Sequence, residues 1–227
     1  PGMLAGKLPV TGLLTGMSFV LILAFSIPLG IFTARHAGGR LDRAMTAVNQ
    51  VLMAIPAFVT GILLTYVFGL VLRLFVPGNY VSPGDNFGAS LWYFLFPAVS
   101  IALPRVAMTV KMLRSSILSE LQKDYVRTSH SRGNGDRSTL YRHVLRNAMG
   151  PVVSFLAMTV ADIVAGSVVI EQVFSLPGLG RMLLTSIANR DYPVVQAVVV
   201  IVAFWVVLVN LLADLINQRL DPRLRLT

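Results

Sequence analysis

Five long runs of apolar residues set the strongest limit on how this 227-residue chain can fold. Each run approaches the roughly 20 residues that an α-helix needs to cross the hydrocarbon core of a bilayer. Apolar residues make up 55% of the chain and charged residues only 13%, which is too much apolar surface for a soluble domain of this length. We therefore predict an all-α polytopic membrane protein with a single transmembrane domain over residues 1–227. The predicted helices cover residues 8–34, 44–73, 89–113, 147–170 and 192–217.

The lysines and arginines are distributed by side of the membrane. If successive helices alternate in direction, 14 of the 19 basic residues fall on one side, and basic loops generally face the cytoplasm. The net charge of +9 is then explained by topology and requires no nucleic-acid partner. We expect a multi-pass protein with a cytoplasmic C-terminus, and a further helix before Leu8 because the pattern places the start of the chain outside. The 14 residues lie in segments 35–43, 111–146 and 219–225, and the other side holds Lys7, Arg73, Arg181 and Arg190.

Groups that could carry catalysis or bind a metal are few. The chain contains no cysteine, so thiolate ligands and disulfides are excluded. Its three histidines, His36, His130 and His143, lie in predicted cytoplasmic loops without carboxylates at metal-ligand spacing. The Gly-x-x-x-x-Gly-Lys-Ser/Thr phosphate loop of nucleotide hydrolases is also missing. We therefore expect a non-catalytic chain with no metal site and no cofactor of its own.

The loop at 114–146 combines helix-forming patterns with a strongly basic composition. Apolar residues recur at helical spacing within 115–132, which predicts an amphipathic helix. Residues 133–135, Gly-Asn-Gly, tolerate positive φ, and Asp136 can cap a second helix. The pattern predicts two helices joined by a tight elbow, a form suited to docking a soluble partner. The alternative is a loop on the lipid surface whose basic residues only fix the topology.

The order of residues in this loop resembles the EAA-type loop of ABC importer permeases. Asp124-Tyr-Val-Arg-Thr128, then Gly133, then Arg142-His-Val-Leu-Arg-Asn147 match the dipeptide/oligopeptide (and nickel) family of binding-protein-dependent importers. A second match follows the fourth helix, where Glu171-Gln-Val-Phe-Ser-Leu-Pro-Gly-Leu-Gly180 is similar to the family's Glu-x-Val-Phe-x-x-Pro-Gly-Leu-Gly segment. Ser129 departs from the pattern, because the family usually has Ala there. The resemblance covers nearly the whole chain.

The resemblance implies the type I ABC importer permease fold, with a cytoplasmic coupling helix that enters a groove on a separate ATPase. Tyr125 and Val126 would be buried anchors in that groove, and Gly133 would let the backbone turn back toward the membrane. ATP and Mg²⁺ would be bound by the partner ATPase subunits. The implied ATPase-coupling residues are Asp124, Tyr125, Val126, Arg127, Thr128, Ser129, Arg132, Gly133, Arg142, His143, Arg146 and Asn147.

The segment 171–191 is predicted to lie outside and to contain a short interfacial helix after Pro177-Gly178. The resemblance places this segment near the external gate and the docked substrate-binding protein. The alternative is a membrane-surface helix with solvated charges. The implied contact residues are Glu171, Phe174, Pro177, Gly178, Gly180, Arg181, Arg190 and Asp191.

Two charged residues, Asp162 and Arg105, fall inside predicted spans. Ionisable residues at membrane depth usually face a bundle interior or an aqueous path, where they find a partner. We expect both residues to border the translocation path, with a pairing between them as one arrangement. The alternative is that Arg105 extends to the cytoplasmic interface while Asp162 pairs with a hydroxyl or with another subunit.

Together these features predict the permease subunit of an ATP-driven importer in the bacterial inner membrane. The resemblance implies a second, homologous permease subunit, two ATP-binding cytoplasmic subunits, an extracytoplasmic substrate-binding protein and membrane lipid as partners. It implies peptides or similar small solutes as cargo, and it leaves open dipeptides, oligopeptides, nickel chelates and glutathione. An ATP-independent secondary transporter or channel subunit is the alternative, although no inverted internal repeat is visible.

Overall fold

Helices form all the regular structure in the part of the chain that the computed structural model describes, which is Leu4 and residues 6–220. Two π-helical segments extend α3 and join α6 to α7. They cover Thr65–Val71 and Leu140–Val144. The α-helices are α1 (Leu8–Arg35), α2 (Arg40–Ala54), α3 (Ala57–Leu64), α4 (Phe87–Leu121), α5 (Asp124–Ser131), α6 (Asp136–Thr139), α7 (Leu145–Val173), α8 (Leu179–Ala188) and α9 (Tyr192–Leu220).

Within the described residues, four helical segments are long and apolar enough to cross a membrane on their own. A bent pair, α2 followed by α3 and its π-helical extension, supplies a fifth candidate. The prediction of an all-α polytopic protein is thereby confirmed. The four single segments are Leu8–Arg35, Phe87–Leu121, Asp136–Val173 and Tyr192–Ile216.

The predicted second span, residues 44–73, is divided by a bend of 94° between α2 and α3. Pro56 stands at the bend and lacks the N–H that would continue the α2 hydrogen bonds. Ile55, which precedes it, has an extended backbone with φ −86° and ψ 119°, as expected for a residue before proline. Apolar character alone predicted one helix here, but the chain forms two elements that meet nearly at a right angle.

α4 lies at the centre of the bundle, where it packs against α1, α2, α3 and α7, and it is the most buried of the four single segments. Gly30 of α1 allows a close approach to α4, because a Cβ at that position would lie 2.8 Å from Leu113 Cδ2. The fully buried apolar side chains of this core include Leu14, Ile22, Phe94, Ile101, Leu113, Ile117, Ile163, Ile170 and Phe174.

α9 lies at the edge of the bundle, packs against α7 and α8, and is the least buried of the four. Its outward side chains, such as Val200, Phe204 and Val207, are large, apolar and exposed. In a membrane protein such a surface needs lipid or another subunit. The predicted cytoplasmic C-terminus falls on residues 221–227, outside the described residues, and the side chain of Arg219 is not described either.

Two of the predicted cytoplasmic segments, 35–43 and 111–146, meet at one end of the bundle, here called the basic end, which includes Arg35, Arg114 and helices α5 and α6. A bidentate ion pair ties α2 to α4 there. Arg114 Nε and Nη2 donate to the two carboxylate oxygens of Asp42 at 2.7 and 2.6 Å, and Gly38 N donates to the same carboxylate at 2.8 Å. The other end, called the opposite end, contains Lys7 and α8.

Candidate functional site

A helical hairpin, formed by α5, the turn at residues 132–135 and α6, projects at the basic end. Gly133 has φ of 85°, in the left-handed region that glycine adopts without a steric penalty. Ser129 Oγ and Thr139 Oγ1 lie 3.0 Å apart, and Asn134 Nδ2 donates to Ser129 Oγ at 3.2 Å. The side chain of Ser129 therefore joins the two helices of the hairpin. The proteins that this loop resembles usually have alanine at this position.

The apolar side of α5 packs against its own chain. Val126 is buried in the same core as α4 and α7. Tyr125 packs on that core, and its Oη donates to Glu120 Oε2 at 2.8 Å and also hydrogen-bonds Asn147. Burial, followed by the neighbouring Glu120, raises the pKa of Tyr125, although its hydrogen bond with Asn147 acts in the opposite direction. Tyr125 thus links the end of α4, α5 and the start of α7.

The other coupling candidates are exposed. The side chains of Asp124 and Arg127 are 96% and 84% exposed, and their charged atoms lie 3.8 Å apart. Thr128 lies beside them on the solvent side of α5. The hairpin therefore offers a polar face made of Asp124, Arg127 and Thr128, whereas Tyr125 and Val126 face inward. The remaining exposed candidates are Arg132, Gly133, Arg142, His143, Arg146 and Asn147.

A buried carboxylate organises the turn between α7 and α8 at the opposite end. Glu171 is fully buried. Thr11 Oγ1 of α1 donates to Glu171 Oε1 at 2.7 Å, and the backbone N–H of Arg181 donates to Oε2 at 3.0 Å. Thr11 Oγ1 also accepts the N–H of Leu179 at 2.8 Å. The unpaired N–H groups at the start of α8 are thus satisfied by side chains of two other helices.

The two glycines of the Pro-Gly-Leu-Gly sequence make room for this carboxylate. A Cβ at Gly178 would overlap the Glu171 carboxylate, and one at Gly180 would lie 2.5 Å from Val168 Cα. Phe174 is fully buried, and its carbonyl oxygen accepts a 2.7 Å hydrogen bond from Tyr93 Oη. This part of the segment is therefore held by packing inside the chain.

Four of the predicted external residues contribute to the surface. Arg181 Nη1 donates a hydrogen bond to the carbonyl oxygen of Ser175 at 3.1 Å. Near the start of α9, Asp191 Oδ1 accepts a hydrogen bond from the N–H of Val194 at 3.4 Å. Arg190 is exposed with φ of 57°. Pro177 lines a cleft of about 490 Å³ together with Arg181 and Asp191. The cleft opens between the start of α1, α8 and α9.

Arg105 and Asp162 are brought together between α4 and α7, but not as a hydrogen-bonded ion pair. Arg105 Nη2 donates to the backbone oxygen of Asp162 at 2.9 Å, and Nη1 lies 3.4 Å from the oxygen of Ile101. The Asp162 side chain is exposed. Within the described residues, its carboxylate accepts no hydrogen bond.

Several residues of these sites were not anticipated. Thr11, Asp42 and Tyr93 carry contacts between parts of the chain that are distant in sequence, and Glu120 joins the end of α4 to α5. The only available signal was a polar side chain inside or beside an apolar run. Such a side chain is equally consistent with a hydrogen bond to its own helix.

The apolar bundle, the basic hairpin and the capped turn between α7 and α8 are the features expected of a membrane-embedded transport subunit. Residues 26–226 match the family described as "Binding-protein-dependent transport system inner membrane component". The chain belongs to this family of ABC importer permeases, which confirms the resemblance found in the two motifs.

Curated relatives include two peptide permeases. The chain is 33% identical over 225 residues to "Probable peptide ABC transporter permease protein y4tP" of Sinorhizobium fredii (strain NBRC 101917 / NGR234), covering 98% of this chain and 71% of that protein. It is 34% identical over 224 residues to "Oligopeptide transport system permease protein AppB" of Bacillus subtilis (strain 168), with the same coverage. It is also 34% identical over 218 residues to "Nickel import system permease protein NikB" of Staphylococcus aureus (strain bovine RF122 / ET3-1), covering 96% of this chain and 63% of that protein.

Solved structures show the same fold. Two crystal forms of the inward-facing MetNI methionine ABC transporter match with TM-scores of 0.73 and 0.76, at 18% and 16% identity. Each match covers 96% of this chain and 96% of the other. The prediction of a type I ABC importer permease fold is confirmed.

Proposed function

We propose that this permease subunit imports peptides and is driven by ATP hydrolysed in separate subunits that dock on its α5–α6 hairpin. The observation that carries the proposal is the division of α5 into two faces. Val126 and Tyr125 fasten the helix to the transmembrane core, while Asp124, Arg127 and Thr128 are exposed. A partner that binds the exposed face would move a rigidly attached element.

The contacts of Tyr125 provide a route for that motion. Glu120 lies at the end of α4, and Asn147 lies at the start of α7, so Tyr125 connects the hairpin to two spanning helices. Displacement of the hairpin would therefore act on α4 and α7 together. In this proposal Tyr125 and Val126 are internal anchors, rather than the groove-filling residues that the motif alone implied.

The orientation of the bundle in the membrane is proposed from the distribution of its basic residues. The basic end faces the cytoplasm because basic loops are retained on that side. The ATPase subunits, with their ATP and Mg²⁺, then meet the hairpin, and the opposite end faces the extracytoplasmic binding protein. At that end the exposed residues Arg181, Arg190 and Asp191 are the docking contacts, whereas Glu171, Phe174 and Gly180 support the turn.

Further partners are proposed from the family and from the surface of the bundle. A second, homologous permease subunit would complete the translocation path, and lipid would cover the remaining apolar surface of α9. Peptide is proposed as cargo because two of the relatives described above are named as peptide or oligopeptide permeases. A nickel complex is the competing cargo, suggested by the NikB relative.

Charge reversal on the exposed face tests this function. In the transporter assembled with its ATPase subunits and binding protein, Arg127→Glu should reduce ATPase co-purification and ATP-driven peptide uptake. Arg43→Glu is the matched control, because Arg43 is exposed at the basic end but lies outside the hairpin. Wild-type values for both measurements in Arg127→Glu would contradict the proposal. So would uptake in vesicles that follows an ion gradient and ignores nucleotide.

A further inference from the structure

A cavity of about 330 Å³ lies at the basic end, between the ends of α1 and α4 and the α5–α6 hairpin. Ala34, Ile117 and Leu140 line it, and all three are buried apolar residues. Its size lies in the range of about 300–1,000 Å³ that is typical of small-molecule sites. Arg35 and Arg137 also line it. The cavity therefore combines an apolar surface with two cationic side chains.

The charges around the cavity are not balanced in the part of the chain that the structure describes. Arg35 and Arg137 are exposed, and neither guanidinium makes a hydrogen bond or an ion pair with another described residue. Asp136 also lines the cavity, but its carboxylate lies 3.4 Å from His130 Nε2. Since two arginines outnumber this single acid, the cavity has an excess of positive charge. It favours an anion over a neutral or a zwitterionic group.

The length of α1 places the cavity at the level of the lipid headgroups. α1 has 28 residues and is therefore about 42 Å long. A bilayer with its headgroups is about 40–45 Å thick, so a helix of this length just crosses it. Lys7 precedes the helix, and Arg35 is its last residue. Arg35 therefore lies where the phosphate groups of one leaflet are found, with the apolar Ala34 beside it.

The cavity lies on the side of α5 that faces the bundle. His130 lines the cavity and follows Val126 by four residues, so the two side chains share one side of the helix. Val126 is buried in the core of the bundle. The polar face proposed for the ATPase, which contains Asp124, Arg127 and Thr128, is on the other side of α5. These positions favour a lipid in the cavity over an acidic side chain of the ATPase.

We propose that this cavity binds the headgroup of an anionic phospholipid. Arg35 and Arg137 hold the phosphate by charge-assisted hydrogen bonds, and the apolar lining contacts the glycerol end of the lipid. Basic pockets between membrane helices bind anionic headgroups in this way. A lipid held there contacts both α1 and the hairpin, so it restrains the hairpin relative to the membrane. The site requires neither a particular cargo nor ATP.

Lipid titration tests the site. The protein, purified in detergent with its co-purifying subunits, is titrated with dioleoyl-phosphatidylglycerol or with the zwitterionic dioleoyl-phosphatidylethanolamine, and bound lipid is counted by native mass spectrometry. Wild type should bind phosphatidylglycerol at least about tenfold more tightly, as expected for one charge-assisted hydrogen bond. The double variant Arg35→Gln/Arg137→Gln should retain one tightly bound phosphatidylglycerol fewer per copy of this chain.

Two double variants control for folding and for general charge effects. Arg35→Lys/Arg137→Lys keeps both charges and should retain most of the lipid preference. Arg40→Gln/Arg43→Gln removes the same charge from exposed positions of α2 outside the cavity, and it should bind lipid as wild type does. Equal loss of lipid in the two glutamine variants would overturn the proposal, as would wild-type binding in Arg35→Gln/Arg137→Gln. Equal affinity of wild type for the two lipids would also overturn it.

Inorganic phosphate distinguishes a lipid headgroup from a free anion. Phosphate, added in excess and compared with chloride at the same ionic strength, should leave phosphatidylglycerol in place because it cannot use the apolar lining. Displacement of the lipid by phosphate would identify a free-anion site and overturn the lipid assignment. Loss of the ATPase subunits from Arg35→Gln/Arg137→Gln, with unchanged lipid binding, would identify a protein contact and overturn it as well.

Discussion

Thr11 and Glu171, 160 positions apart in the sequence, share a buried hydrogen bond of 2.7 Å at the opposite end of the bundle. Each of them also contacts the first turn of α8, through the N–H groups of Leu179 and Arg181. Three helices are thereby joined around one carboxylate. In the proposed transporter, this junction would keep α8 fixed relative to α1 and α7 when the opposite end of the bundle moves.

Replacing the buried carboxylate by an amide should weaken this junction. Glu171→Gln places an NH₂ group near backbone donors that need an acceptor, and leaving such donors unpaired costs about 1–3 kcal/mol. We expect a lower thermal unfolding temperature for the assembled transporter. Asp191→Asn is the matched control, because its carboxylate is exposed and should change stability little. Equal unfolding temperatures for the two variants would show that Glu171 does not hold the turn.

Alanine at Gly180 should destabilise the protein, whereas alanine at Gly150 should not. A Cβ at Gly180 would lie 2.5 Å from Val168 Cα, a backbone atom that cannot move independently. We expect a loss of about 1–3 kcal/mol for overpacking at this site. Gly150 has no atom within 4 Å of its would-be Cβ, and alanine favours a helix by up to about 1 kcal/mol. Denaturant or thermal unfolding should give changes of opposite sign.

Removing the Tyr125 hydroxyl should weaken coupling without releasing the ATPase. Tyr125→Phe keeps the ring packed on the core but loses the 2.8 Å hydrogen bond to Glu120. We expect ATPase co-purification to persist while peptide uptake per ATP hydrolysed falls. Tyr141→Phe serves as the control, because Tyr141 is exposed. An unchanged uptake-to-hydrolysis ratio in Tyr125→Phe would exclude this tyrosine as a link between the hairpin and the bundle.

Two ion pairs at the basic end should differ in their coupling energies. The Asp42 side chain is 5% exposed in its pair with Arg114, and the pair is bidentate. A double-mutant cycle with Asp42→Asn and Arg114→Gln should give a coupling free energy above about 1 kcal/mol. The corresponding cycle for Asp124 and Arg127 should give no measurable coupling, since both side chains are exposed. Similar values for both cycles would contradict the assignment of the Asp42 pair as a structural tie.

The sequence predicted which segments are spanning helices better than it predicted how they bend. Hydropathy identified the 44–73 run, but Pro56 divides it into helices 94° apart. The proline was visible in the sequence. Membrane helices often tolerate proline with only a kink, because neighbouring groups satisfy the freed carbonyls. Whether the backbone kinks or turns fully depends on the packing of α2 and α3 against α4.

The amphipathic pattern within 115–132 predicted one helix, but the structure divides this segment between the end of α4 and α5, with a break at residues 122–123. The pattern also did not predict the partner of the apolar side of α5. Either the bundle or a docked protein could bury Tyr125 and Val126, and both would select the same spacing. The structure places them on their own bundle, which leaves the polar face with Arg127 exposed. The residue types at the site were thus predictable, whereas the direction in which each side chain faces was not.

The sequence alone determined that this chain is a membrane-spanning helical protein, and two ordered motifs identified its family. Both follow from local properties, because transfer into lipid depends on residues summed along one segment. Tertiary structure decided which polar groups meet. Thr33 bonds to the carbonyl of Leu29 in its own helix, while Thr11 reaches Glu171 across the bundle. Both threonines lie in the same apolar helix, and only the neighbours that packing brings to each hydroxyl distinguish them.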